Sequence, residues 1–266
     1  MSRKLSLVLG CAAFLPILHA GPISVYYVTA GDETTNWALQ GSGVVNSWTQ
    51  NFTGGGGEYA IAVPGSIRTL GNGNSGDQGP GSDYTLGGTF TGTTYNYPVG
   101  GPLFYDGTSD GTNNYAVDFS TGNVYQTSSV WTSPVILFTS AGNLGITYDN
   151  TNNSLWISDW SGTGTIRDYS LAGTLLSSFT TPFGDVTSLA MDYADNTLWM
   201  GSQTTEGTFY QYSRTGVQLS TQVYGALVTQ NTLGGEFAIT AVPEPATFGM
   251  LGLALTALFA ARRARR

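Results

Sequence analysis

Asp106, Asp149 and Asp192 recur at a constant offset of 43 residues. Carboxylates repeated in register can converge into a ring that holds a cation such as calcium, or each can accept hydrogen bonds from the amides of its own turn. Neither "DGTSDGTNN" (106–114) nor "DNTNNS" (149–154) satisfies the EF-hand loop spacing, whose closing glutamate is absent from both. The turn reading is therefore preferred, with calcium kept as a low-affinity alternative. Asp159 and Asp168 supply the residue types of a glycosidase pair, but that chemistry needs the two carboxyls about 5–9.5 Å apart, which sequence spacing does not set. Trp156 and Trp199 share the 43-residue offset and read as core. Trp160 has no aromatic counterpart in the next copy and is the candidate exposed sugar contact.

The rare residue types exclude much else. Between residues 21 and 241 there are three arginines (Arg68, Arg167 and Arg214) and no lysine, histidine or cysteine, against sixteen acidic residues. That region thus has a formal charge of −13. It cannot build a Ser-His-Asp or Cys-His site, a thiolate or imidazole zinc site, or a Schiff-base lysine. It lacks the basic surface that nucleic acid requires. No cofactor is implied beyond the calcium alternative, and carboxylate chemistry is the only acid–base chemistry left open.

These residues sit in repeated elements. "GITYDNTNNSLWISDWSGTGTIRDYSLAGTLLSSF" (145–179) and "SLAMDYADNTLWMGSQTTEGTFYQYSRTGVQLSTQ" (188–222) align without a gap. Leu155-Trp156 falls on Leu198-Trp199, Gly164-Thr165 on Gly207-Thr208, and Gly173 on Gly216. A looser copy occupies 103–138, and "GGEYAIAV" (56–63) echoes "GGEFAITAV" (234–242). Each clear copy reads as four short strands, in the first case Gly145–Tyr148, Ser154–Ser158, Thr165–Leu171 and Thr174–Phe179. "LAGT" (171–174) and "SRTGV" (213–217) read as tight hairpin turns with glycine at positive φ. Four antiparallel strands in about 43 residues make one β-propeller blade. In such a blade, Leu and Trp side chains alternate toward the two neighbouring sheets.

The fold predicted for 21–241 is all-β, a β-propeller of about five four-stranded blades. The strand Gly235–Ala241 joins the first strands to close the ring, because an open array leaves sheet edges exposed. The glycine stretches "TGGGGE" (53–58) and "GNGNSGDQGPGSD" (71–83) lack the lysine and helix of a phosphate loop and read as long surface loops. The pattern G-I-x-Y-D, S-L-W-I-S-D, G-T-I-x-x-Y-S, G-T-L resembles blades of the NHL and YVTN-like propellers, well over 145–222 and loosely over 103–138. It matches no catalytic motif of a propeller enzyme.

The two ends carry addresses. Residues 1–20 have a basic start (Arg3, Lys4), an apolar run to about Leu18 and a small residue, Ala20, as a secretory signal peptide does. At the other end, Ala246 to Ala261 is apolar, followed by Arg262, Arg263, Arg265 and Arg266. As a helix it reaches about 24 Å, so snorkelling arginines help it span and stay cytoplasmic. Val242-Pro243-Glu244-Pro245-Ala246, this span and the arginine cluster resemble the PEP-CTERM sorting signal of Gram-negative bacteria, a tail also named "ice-binding protein C-terminal". The resemblance implies that Pro243, Glu244 and Pro245 are recognised by an exosortase, which cleaves near them, and that 242–266 is a transient inner-membrane anchor. Hosts of this family commonly make extracellular polysaccharide and biofilm.

Together these readings predict an exported protein of the cell surface or extracellular matrix. Its partners are an exosortase and extracellular polysaccharide, and its role is non-enzymatic binding or scaffolding. The alternatives are a carboxylate-based polysaccharide-active enzyme and an ice- or surface-adsorbing protein; the latter needs a flat, regular threonine array, which the irregular threonine spacing does not offer.

Overall fold

Short β-rich runs punctuated by Asn, Asp and Gly fold here as five sheets of four strands each. The computed structural model describes residues 21–30, 34–52, 57–72, 79–97 and 102–239. The expected signal peptide, Pro243-Glu244-Pro245, the apolar span and the terminal arginines lie outside them. Among the described residues no helix is long and apolar enough to cross a membrane.

The first blade contains β1 (Tyr26–Ala30), β2 (Thr35–Gln40) and β3 (Gly43–Thr49). The second contains β4 (Gly57–Ala62), β5 (Ile67–Asn72), β6 (Gly81–Tyr84) and β7 (Phe90–Tyr95). The third contains β8 (Thr108–Ser109), β9 (Asn113–Val117), β10 (Asn123–Ser128) and β11 (Val135–Thr139). The fourth contains β12 (Ile146–Asp149), β13 (Ser154–Ser158), β14 (Thr165–Ser170) and β15 (Leu175–Thr180). The fifth contains β16 (Val186–Asp192), β17 (Thr197–Ser202), β18 (Thr208–Tyr212) and β19 (Gln218–Val223). The last strand, β20 (Thr232–Phe237), pairs antiparallel with β1 and becomes the innermost strand of the first blade. The ring is therefore closed by its own two ends, with the closing strand starting three residues earlier than Gly235.

The glycine stretches are less loop-like than expected. Gly57 and Glu58 open β4, Gly71 lies in β5 and Gly81 opens β6. Backbones approach too closely there for a side chain: a Cβ on Gly81 would stand 1.9 Å from the Thr69 carbonyl oxygen.

The period of two along each strand builds the seams between blades. Leu155 joins Tyr115, Val117 and Val124 of the third blade, while its neighbour Trp156 joins Val186, Leu189 and Met191 of the fifth. The next copy repeats this: Leu198 packs in the cluster of Trp156, and Trp199 packs with Tyr26, Val28, Leu39 and Phe237 across the closure. Trp156 opposes Thr147 and Trp199 opposes Ala190, so the two tryptophans hold equivalent sites in adjacent blades. At the periphery, Gly173 and Gly216 adopt φ of 80° and 82° in the hairpin turns. Each also makes room for a ring of the preceding blade, since an added Cβ would lie 2.6 Å from Phe138 and 2.5 Å from Phe179 respectively.

Trp199 is fully buried at the closing seam. Trp199→Ala should cost about 3–5 kcal/mol of unfolding free energy, the range for emptying a large aromatic site. Leu175→Ala, on an exposed outer strand, should cost well under 1 kcal/mol by the rule for surface positions. Chemical denaturation of the two variants checks the difference; equal, small losses would contradict the seam.

Candidate binding site at the axial mouth

The innermost strands cannot pair with one another across the ring, so their channel-facing amides need other acceptors. Asp106 supplies them. Its carboxylate is completely buried and accepts from Gly107 N (2.9 Å), Ile146 N (3.1 Å), Leu189 N (3.1 Å) and Gly235 N (2.9 Å). Those amides belong to four different blades. Hydroxyls continue the pattern: Thr108 Oγ1 accepts from Tyr148 N at 2.9 Å, and Thr147 Oγ1 from Met191 N at 2.9 Å.

This corrects the expected equivalence of Asp106, Asp149 and Asp192. Thr108 opposes Tyr115 as Thr147 opposes Trp156, which makes the spacing between these two copies 39 residues on the innermost strand and 41 on the next, rather than 43. The shorter copy puts Asp110, not Asp106, in the place of Asp149 and Asp192. Each of the three accepts the amide two residues on: Thr112 N at 2.7 Å, Thr151 N at 2.9 Å and Ala194 N at 3.0 Å. Asp149 is further bound by Arg214 at 2.7 Å and by the Trp156 indole at 3.3 Å. Asp192 takes the Ile23 and Ser24 amides and the Ser24 hydroxyl. Asp159 is ion-paired to Arg167 at 3.0 Å, whereas Asp168 opposes Trp156 inside the sheet, where burial raises its pKa. Among the described residues no three His, Cys, Asp or Glu side chains are grouped to hold a metal ion.

One acid at the axis was not singled out from sequence. Glu236 on β20 is buried, accepts from its neighbouring Phe237 amide at 2.9 Å, and leaves Oε2 without a hydrogen-bond partner. Burial pushes its carboxyl well above the usual range, offset in part by the nearby Thr108 and Thr147 hydroxyls. Asp106 is likewise raised, by burial first and also by repulsion from Glu236, against the pull of its amides. The echo between "GGEYAIAV" and "GGEFAITAV" was the available signal: they are β4 and β20, and both Glu58 and Glu236 are buried.

Above this plug the axis opens into a cavity of about 240 Å³ lined by Tyr59, Tyr105, Phe119, Leu144, Trp160, Gln203, Asn231 and Leu233. Four of these rings form a continuous arc. Tyr59 stacks on Tyr105 (centroids 5.9 Å apart), Tyr105 meets Phe119 edge-on (5.0 Å), and Phe119 meets Trp160 edge-on (5.7 Å). Trp160 is 42% exposed. Its backbone is fixed by Asn143, whose Oδ1 accepts the Trp160 amide at 3.0 Å and whose Nδ2 donates to the Phe119 carbonyl at 2.7 Å. The lining has no carboxylate and no cation, and Asn231 Oδ1 has no hydrogen-bond partner in the protein. Aromatic faces with a few amides suit an uncharged ligand that is apolar on one side and hydroxylated at its edge. The sequence reading found Trp160 but missed Tyr59 of the second blade and Tyr105 and Phe119 of the third, which share no spacing.

The fold is thus a five-bladed β-propeller with an aromatic axial mouth. Residues 241–266 match the PEP-CTERM protein-sorting motif, which marks an exported protein sorted by an exosortase. No curated protein matches the sequence. Among solved structures, one from a nidogen/laminin complex is similar at 12% identity and a TM-score of 0.54, covering 81% of this chain and 98% of that one. A glutaminyl cyclase from Myxococcus xanthus is 14% identical with a TM-score of 0.46, over 69% of this chain and 72% of its own. A catalytically inactive virginiamycin B lyase from Staphylococcus aureus, with quinupristin, is 15% identical with a TM-score of 0.46, over 77% and 72%. At these identities the likeness concerns the fold alone.

Acids whose pKa is raised by folding stabilise fully below their unfolded values, about 4, and lose that contribution as pH rises through the folded values. Asp106 and Glu236 are both of this kind. The melting temperature should therefore fall as pH is raised from about 5 to 9, and Glu236→Gln should flatten the slope. Differential scanning fluorimetry across that range is the check; a wild-type midpoint that rises with pH would contradict the assignment.

Proposed function

We propose that this protein is a non-enzymatic binding component of the cell surface or extracellular matrix, holding exopolysaccharide at the axial mouth of its propeller. The observation that carries the reading is the arc Tyr59–Tyr105–Phe119–Trp160 beside Gln203 and Asn231, in a cavity walled without charge. Sugar rings have apolar faces that rest on aromatic side chains and hydroxyl edges that pair with amides. Acid–base catalysis would need a carboxylate exposed to the ligand. Instead, Asp106 below the mouth is taken up by four amides.

In this reading the tail crosses the inner membrane with Arg262, Arg263, Arg265 and Arg266 on the cytoplasmic side. An exosortase recognises Pro243-Glu244-Pro245, and cleavage there frees the propeller for the cell surface or the biofilm matrix. Mass spectrometry of protein recovered from the surface should then show no residues beyond about Pro245. Recovery of peptides reaching Arg266 would refute the processing step.

Binding would also proceed without a metal, because Asp149 and Asp192 spend their oxygens on turn amides, Arg214 and the Ile23–Ser24 segment. On a glycan array, neutral polysaccharide fragments should be retained equally with calcium and with a chelator. Trp160→Ala should weaken retention about tenfold or more, the order of 1.4 kcal/mol. Calcium should leave the melting temperature unchanged, since only a ligand that prefers the folded state raises it. A calcium-dependent rise would restore the carboxylate-ring reading.

A further inference from the structure

Trp160 borders a second depression. On the side away from the axis, a groove of about 480 Å³ runs along the seam of the third and fourth blades. Its walls are hydroxyl and amide groups, chiefly Ser120, Thr121, Asn143, Ser161 and Thr163, with the Asp159–Arg167 ion pair beside them. The two depressions meet at three points. Trp160 lines both, Phe119 of the mouth is followed directly by Ser120 of the groove, and Asn143 of the groove is followed by Leu144 of the mouth. The hydrogen bonds of Asn143 to Phe119 and Trp160 hold this shared wall in one geometry.

From this continuity we infer that mouth and groove form one extended cleft for a linear, uncharged polysaccharide, bound along several consecutive sugar units. The inference rests on the carbohydrate reading of the mouth and adds the length and charge of the ligand. Length follows from the two connected volumes, which together lie in the ~300–1,000 Å³ range of sites that enclose ligands larger than one sugar ring. Neutrality follows from the groove chemistry. Its one cation, Arg167, is already matched by Asp159 at 3.0 Å. The surrounding domain carries a formal charge of −13, which repels an anionic polymer. The division of labour is clear in the residue types: rings at the mouth cover the apolar face of one sugar, and hydroxyls and amides along the groove pair with the hydroxyls of those that follow.

The test is calorimetric titration of the full chain with neutral gluco-, manno- and acetamido-oligosaccharides of one to six units, beside uronic-acid oligomers of the same lengths. For the neutral series that binds, affinity should rise about tenfold or more, roughly 1.4 kcal/mol, between the shortest binder and the tetramer, and then level off. Thr163→Gln narrows the groove from its exposed rim and leaves the mouth untouched. It should abolish that gain while preserving the affinity of the shortest binder. An unchanged melting temperature for Thr163→Gln separates loss of contact from loss of fold. Constant affinity over all lengths, or tighter binding of the uronic-acid series, would overturn the cleft while leaving the mouth as a sugar site. No binding of any glycan would overturn both.

Discussion

Four amides from four blades converge on one buried carboxylate, and the geometry of the ring follows from that convergence. A closed ring of radial sheets leaves the inner edge of every sheet facing the axis, with N–H groups that have no strand to pair with. Each buried orphan costs about 1–3 kcal/mol. Asp106 answers four at once, and those hydrogen bonds offset part of the cost of burying a carboxyl at the axis. Thr108 and Thr147 do the same work between single pairs of blades, and Ser158 Oγ donates to the Val186 carbonyl at 2.7 Å across the same seam as Thr147. The blades are therefore registered against one another by polar contacts at the axis, and kept together by apolar contacts farther out.

Those outer contacts explain why the site can be assembled from parts so distant in sequence. Trp156, Trp199 and their leucine neighbours lock adjacent sheets at fixed angles, and the loops at the mouth inherit that rigidity. Tyr59, Tyr105, Phe119 and Trp160 come from the second, third and fourth blades, yet their rings touch in sequence around the opening. A binding surface of this kind is a property of the ring, because no single blade contains two of its four rings except the third, which provides Tyr105 and Phe119.

The sequence made the repeating part of this legible and the axial part illegible, for a physical reason. Turn chemistry and the period of two are local. In the fourth blade the strands expected at 145–179 were found within one or two residues of their ends, and Gly173 and Gly216 took the positive φ their turns demand. Seam partners could be read as well, because Leu-Trp alternation repeats with the blade. What one carboxylate does at the axis is set by three other blades, and no local pattern records it. Asp106 even suggested the wrong equivalence, since the third blade is shorter and places Asp110 in the turn position instead. Glu58 and Glu236 sat in matching peptides, a hint of two neighbouring inner strands that composition alone could not convert into burial. The mouth was legible only at Trp160, the one ring that broke the repeat.

The direction of the closing strand has its own consequence. Strand β20 enters at the mouth, near Asn231 and Leu233, and finishes at the far side of the ring, where Ile239 N donates to the Val63 carbonyl at 3.3 Å. The described residues also enter the ring there: Ile23 and Ser24 are held by Asp192 before β1 starts opposite Phe237. Entry and exit thus share one end of the axis, and the aromatic opening occupies the other. Among the described residues, the two passages of the chain through that end leave the opening clear, as a cup held by its base keeps its rim free.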